Sequence, residues 1–113
     1  PELITFFSDK IITCHSNKIS DVIIDPGFGF GKKINQNFKI LKNLEVFQVL
    51  NVPIMVGLSR KSMIYKSLKI EPADALNGTS VLNAVALLKK ANILRVHDVK
   101  EAKESIELCK KLV

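Results

Sequence analysis

Tryptophan is absent and tyrosine occurs once, so the chain has few of the flat side chains on which single-stranded nucleic acids stack. Its two cysteines, Cys14 and Cys109, are isolated, with no C-x-x-C pair and no histidine at metal-ligand spacing. That excludes a disulfide scaffold and a zinc site, and it leaves reduced thiols in a cytoplasmic protein as the expectation. No apolar run approaches the roughly 20 residues of a membrane span, and no stretch reads as a signal peptide. Tracts of one charge are missing too. Seventeen Lys and Arg against eleven Asp and Glu give a net +6, but the cations are scattered along predicted helices, as at Lys10, Lys18, Lys39, Lys42, Lys89, Lys90, Lys110 and Lys111. A solvated basic surface follows, and neither a nucleic-acid nor a membrane partner is expected.

What is present is an ordinary globular composition: 113 residues, 47% of them hydrophobic and 25% charged, enough for one domain and too few for two. From Pro1 to Ser16, Leu3, Phe6, Phe7, Ile11 and Cys14 recur at helical spacing. Val22 to Asp25 is a β-branched run stopped by an acid and Pro26, which predicts a buried strand. Asn35 to Leu50 predicts a second helix with Ile40, Leu41, Leu44 and Phe47 on its core stripe. Its last turns add Val46, Val49 and Leu50 on the opposite side, the pattern of a helix end covered twice, by a neighbouring helix or a subunit.

Ile54 to Ser59 predicts a second strand, Met63 to Ile70 a short helical piece, and Pro72 to Ala91 a helix weakened at Asn77-Gly78. Ile93 to Asp98 predicts a third strand. Asp98 and Glu101 then resemble a capping box for a last helix, Val99 to Val113, with Ala102, Ile106, Cys109 and Leu112 or Val113 inward. One helix followed by three strand-helix units, with connections too short for hairpins, predicts parallel strands and an α/β fold. Three parallel strands leave two open edges, and the chain starts in helical register at Pro1 without a methionine, so the expectation is a piece of a larger sheet or barrel.

Chemistry collects at one end of these strands. Between Asp25 and Lys32, Gly27, Gly29 and Gly31 alternate with Phe28 and Phe30, a loop that lets backbone approach a ligand closely while presenting two aromatic rings. Its spacing is neither that of a dinucleotide fingerprint nor that of a P-loop. Strand alternation puts Asp25, then Ser59 and Lys61, then Arg95 and His97 on one face at the carboxyl ends, where parallel α/β folds build their sites, and turns Arg60 away. Singly, each has an ordinary use: Asp25 as a turn carboxylate, Lys61 as a snorkelling cation, Arg95 as partner of an acid such as Asp98, His97 as a core imidazole. Together they point to a site. Arg95 and His97 suit a phosphate or pyrophosphate, and Asp25 with Lys61 suits a flat heterocycle bearing ring N–H and carbonyl groups.

The blocks D-P-G-F-G-F-G-K (Asp25 to Lys32), G-L-S-R-K-S (Gly57 to Ser62) and R-V-H-D (Arg95 to Asp98), in this order, resemble the C-terminal half of the dihydropteroate synthase family. The resemblance implies a partial (β/α)8 TIM barrel, with these as strands six to eight, and residues 1–113 as the C-terminal part of one pterin-binding domain. It implies a transferase of folate biosynthesis and a sulfonamide target, which condenses 6-hydroxymethyl-7,8-dihydropterin pyrophosphate with p-aminobenzoate. By the same resemblance Asp25 and Lys61 would hold the pterin, Ser59, Gly29 and Phe30 the p-aminobenzoate, and Arg95 and His97 the pyrophosphate. No residue is assigned as acid or base. Mg2+ is implied with its ligand outside this chain, and a homodimer through the helices is implied as well. The strands that would complete the barrel have no counterpart here, so the isolated chain is expected to be inactive. The competing readings are a methyltetrahydrofolate methyltransferase domain, which has no pyrophosphate for Arg95 and His97 to meet, and a non-catalytic dimerisation or binding module.

Overall fold

The first helix, α1, spans Glu2–Ser16 and buries Ile11, while the Phe7 ring meets Phe47 edge-on at 5.9 Å. It closes on Lys18, whose left-handed φ of 63° lets Ile19 N–H reach back to the Cys14 carbonyl and Lys18 N–H to that of His15. Residues 2–29 and 32–113 are described by the structure, a computed structural model. After α1 the chain runs to Ile24, which forms a parallel bridge with Ile54. The strand expected over Val22 to Asp25 is thus reduced to one pairing residue, and Ile23, expected to be buried, is 51% exposed. Among the described residues this segment pairs only through Ile24, so its outer side has no ladder to extend it.

Two short strands follow the same parallel sense. β1 (Met55–Val56) pairs with β2 (Ile93–Leu94) in the register Met55 to Ile93 and Val56 to Leu94. Both are shorter than the expected Ile54 to Ser59 and Ile93 to Asp98, although Arg95 N–H still donates to the Val56 carbonyl at 2.9 Å. The predicted alternation holds where it matters. Ile54, Val56 and Leu58 are buried against the helices, together with Ile24, Phe28, Leu41, Leu44, Met63 and Ile64. Phe28, read from sequence as a ring offered to a ligand, is instead a core residue at 1% exposure.

Helix α2 spans Ile34–Lys42, and its first turn is closed by Gln36 Oε1 accepting from Lys33 N–H at 2.8 Å. The single helix expected to reach Leu50 ends here. Asn43 turns its side-chain amide onto the Lys39 carbonyl, and Leu44–Leu50 continues as a 3₁₀ segment. Three residues per turn put Leu44 and Phe47 on one line facing the core and leave Val46 and Val49 outward at 53% and 72% exposure. The valines that suggested a twice-covered helix end are therefore uncovered by this chain itself.

Helix α3 spans Ser62–Leu68. The helix expected from Pro72 divides into a 3₁₀ turn, Pro72–Asp74, and α4, Leu76–Leu88. The break falls at Ala75 and not at Asn77-Gly78. Gly78 lies inside α4 because α3 crosses it there, and a Cβ at that position would come within 2.5 Å of Ile64 Cγ2. Helix α5 spans Val99–Lys110 and packs on α4, with Ala102 and Cys109 inward. Leu112 and Val113, expected inward, lie past its end and are exposed. Asp98 makes no side-chain cap on α5, so the expected capping box is absent.

The molecule is thus an α/β unit with parallel strand pairing and helices covering one face of it. Gly78→Ala should lower stability by about 1 kcal/mol. The crowding of Ile64, worth about 1–3 kcal/mol, outweighs the roughly 1 kcal/mol that alanine gains in a helix. Urea unfolding checks this, and a stabilised variant would mean that α3 and α4 are less closely packed.

Candidate functional site

Each strand end delivers its side chains by a different local device. At the first, Pro26 stops the strand and Gly27 N–H donates to Asp25 Oδ1 at 2.9 Å, an Asx turn that fixes the carboxylate. The other oxygen, Oδ2, accepts from Arg95 Nη1 at 2.9 Å, joining the first strand end to the third. Gly27 and Gly29 hold φ of 73° and 92°, conformations that glycine adopts without steric cost.

The loop is anchored at several points. Phe28 is sunk in the core, Gly29 N–H donates to Asn37 Oδ1 at 3.0 Å, and Lys32 Nζ donates to the Gly27 carbonyl at 3.0 Å. Lys61 Nζ donates to the Phe28 carbonyl, so the second strand end also grips this loop. Phe30 lies outside the described residues. Asn37 was missed by sequence reasoning, although its signal is legible: it is the polar residue between Ile34 and Leu41 on an otherwise apolar stripe, and it is buried.

At the second strand end, Gly57 leaves room for the Arg95 guanidinium, whose carbon would stand only 2.9 Å from a Cβ there. Two residues on, buried Ser59 shares a hydrogen bond of 2.7 Å with His97 Nδ1, and its oxygen accepts from the His97 backbone N–H at 3.3 Å. Arg60 takes a left-handed φ of 54°. That reversal carries its side chain away from Asp25 and Arg95, as alternation predicts, and onto Asp98, where Nε and Nη2 pair with the two carboxylate oxygens at 3.1 Å. The local pattern makes Asp98 a cap or a partner for Arg95; in the structure its partner is Arg60. The hydrogen bond from Arg60 holds the Asp98 carboxyl below the usual carboxylate range, and Arg60 is held above its own.

The acid, the lysine and the arginine share one neighbourhood. Burial pushes the Lys61 ammonium below its ordinary value, Arg95 pushes it further, Asp25 opposes that, and Lys32 adds a smaller push down. Ser59 and His97 form a second pair alongside. The set offers a guanidinium and an ammonium beside the Asp25 carboxylate and an imidazole held by Ser59 at the neighbouring strand ends, groups suited to an anion next to a group that needs both a donor and an acceptor. Among the described residues no three His, Cys, Asp or Glu side chains are grouped as metal ligands, and the Asp25 carboxylate is already engaged by Gly27 N–H and Arg95. A groove of about 720 Å³ lies elsewhere, between α1 and α2, lined by Leu3, Ile40 and Phe47 among others.

A family described as pterin binding enzyme matches residues 2–97. The chain is similar to dihydropteroate synthase of Escherichia coli K12, at 38% identity over 109 residues, covering 95% of this chain and 39% of that protein. It is similar in structure to dihydropteroate synthase from Thermus thermophilus in complex with 6HMPPP, with a TM-score of 0.92 at 34% identity over 98% of this chain and 45% of that one. The same enzyme in complex with 4-aminobenzoate gives a TM-score of 0.93 at 33% identity over 99% of this chain and 44% of that one. The chain thus spans less than half the length of these relatives.

The charges around Lys61 give a signed prediction. Asp25→Asn removes a neighbouring charge that favours the ammonium and should lower the Lys61 pKa further, read by side-chain 13C chemical shifts against pH. An unchanged or raised value would mean that Asp25 and Lys61 do not face each other.

Proposed function

Because the chain belongs to the pterin-binding enzyme family, we propose that it works as the C-terminal part of a dihydropteroate synthase and supplies one wall of its active site. The reaction is the condensation of 6-hydroxymethyl-7,8-dihydropterin pyrophosphate with p-aminobenzoate. The observation that carries this reading is the joining of three strand ends by two contacts, Asp25 to Arg95 and Ser59 to His97. In the full protein the parallel segments are strands six to eight of a (β/α)8 barrel, and residues 1–113 belong to a single pterin-binding domain. The parallel sense of both pairings supports this.

The chemistry needs little acid or base. The C–O bond between the pterin methylene and pyrophosphate breaks, its electron pair leaves on the pyrophosphate oxygen, and the ring delocalises the positive charge. The aryl amine then forms the new C–N bond and sheds a proton. Arg95 and His97 meet the charge growing on the leaving group, and their value lies in being oriented beforehand. Arg95 is oriented by Asp25 and by the space over Gly57; His97 is oriented by Ser59. Lys61 and Asp25 face the pterin, the lysine as donor to its carbonyl and the aspartate as acceptor from its ring N–H groups. Gly29, Ser59 and Phe30 border the p-aminobenzoate.

Mg2+, if used, takes its ligand from outside these residues, and no step above depends on it. The uncovered Val46 and Val49 suit a helix-mediated homodimer, and the two isolated cysteines suit a cytoplasmic location.

In a complete synthase that contains this segment, Lys61→Ala and Arg95→Ala should each lower kcat/KM more than tenfold, about 1.4 kcal/mol of transition-state stabilisation. Near-wild-type values for both would remove the assignment. The isolated chain should form no dihydropteroate in a turnover assay, and measurable product would contradict its place as one wall of a larger site.

A further inference from the structure

We infer that Arg60 is a positioning residue: paired with Asp98, it locks the turn bearing Ser59 and Lys61 to the turn bearing His97, without itself touching a ligand. Consecutive residues of one turn, Ser59 and Arg60, are bound to consecutive residues of the other, His97 and Asp98. The Arg60 pair is bidentate, the geometry that fixes direction as well as distance. Its remaining nitrogen, Nη1, donates to the carbonyls of Ala73 at 2.7 Å and Pro72 at 3.3 Å, which ties the 3₁₀ turn before α4 to the same point. Every nitrogen of the guanidinium thus has an acceptor from this chain. A cation so engaged has little left for a substrate.

The backbone supports the same reading. Arg60 holds a left-handed φ of 54°, a conformation that a non-glycine residue keeps only where its surroundings enforce it. The enforcement is visible: Arg60 N–H donates to buried Thr79 Oγ1 at 3.0 Å, and Thr79 Oγ1 donates in turn to the Ala75 carbonyl at 2.7 Å. The reversal at residue 60 lets its two neighbours serve the site while its own side chain clamps Asp98. Ser59 reaches His97, and Lys61 reaches the Phe28 carbonyl.

This inference rests on the reading that His97 and Arg95 meet a pyrophosphate, and the test separates the two. The chain is labelled with 15N, and His97 ring nitrogens are followed by NMR during titration with inorganic pyrophosphate, with His15 on α1 as an internal control. Arg60→Lys keeps the charge but loses the fork; Asp98→Asn keeps the shape but loses the charge. Positioning predicts that both variants shift the His97 ring resonances before any ligand is added, leave His15 unmoved, and weaken pyrophosphate binding at least fivefold. Direct ligation by Arg60 predicts the opposite for Asp98→Asn, since freeing the arginine and removing a nearby negative charge would tighten the anion. His97 resonances unchanged in both folded variants overturn the inference whatever pyrophosphate does. A wild-type chain that ignores pyrophosphate counts against the functional reading alone, because the His97 shifts still decide the role of Arg60.

Discussion

The parallel pairing of Ile24 with Ile54, and of Met55 and Val56 with Ile93 and Leu94, is the constraint on which the rest depends. Few backbone bonds make up this ladder, so its position is held by what its residues bury. Ile24, Ile54, Val56 and Leu58 pack into one core with Phe28, Leu44 and Met63. Each such side chain contributes about 1.5–3 kcal/mol when removed from water, against about 0–1 kcal/mol for a half-exposed ion pair such as Asp25 with Arg95. The core therefore decides where the strand ends lie. The ion pairs and hydrogen bonds decide how the side chains at those ends are turned.

That division explains the two glycines of consequence at the strand ends. Gly29 needs its left-handed backbone so that the loop can pass from the buried Phe28 ring to the Asn37 amide oxygen. Gly57 needs no special torsion but must lack a side chain, since the Arg95 guanidinium lies over it on the way to Asp25. The site is built less from reactive groups than from groups held in place. That suits the proposed reaction, in which a multiply charged group leaves.

Much of this was legible in the sequence because period and order are read directly. The helical spacing of Leu3, Phe7 and Ile11, the alternation through Ile54, Val56 and Leu58, and the polar strand ends at Asp25, Ser59 and Arg95 all appear as expected. What was not legible depended on choices among near-equal local options. The strands are short because lateral partners, not propensity, set how far a ladder runs. The 3₁₀ segment Leu44–Leu50 places Leu44 and Phe47 inward as a helix would, so the apolar pattern could not separate the two. Asp98 reads as a cap because capping is local, whereas its partner Arg60 is distant in sequence and reaches it through a backbone reversal that no propensity announces.

In the proposed function the three strand ends form one surface for a pyrophosphate and a pterin. A crystal structure of the chain grown with pyrophosphate and 6-hydroxymethylpterin tests it most directly. The account predicts pyrophosphate oxygens within hydrogen-bond reach of both Arg95 and His97, and the pterin edge between Asp25 and Lys61. Ligands seated in the groove between α1 and α2, or an anion held by Arg60 with Asp98 displaced, would contradict it.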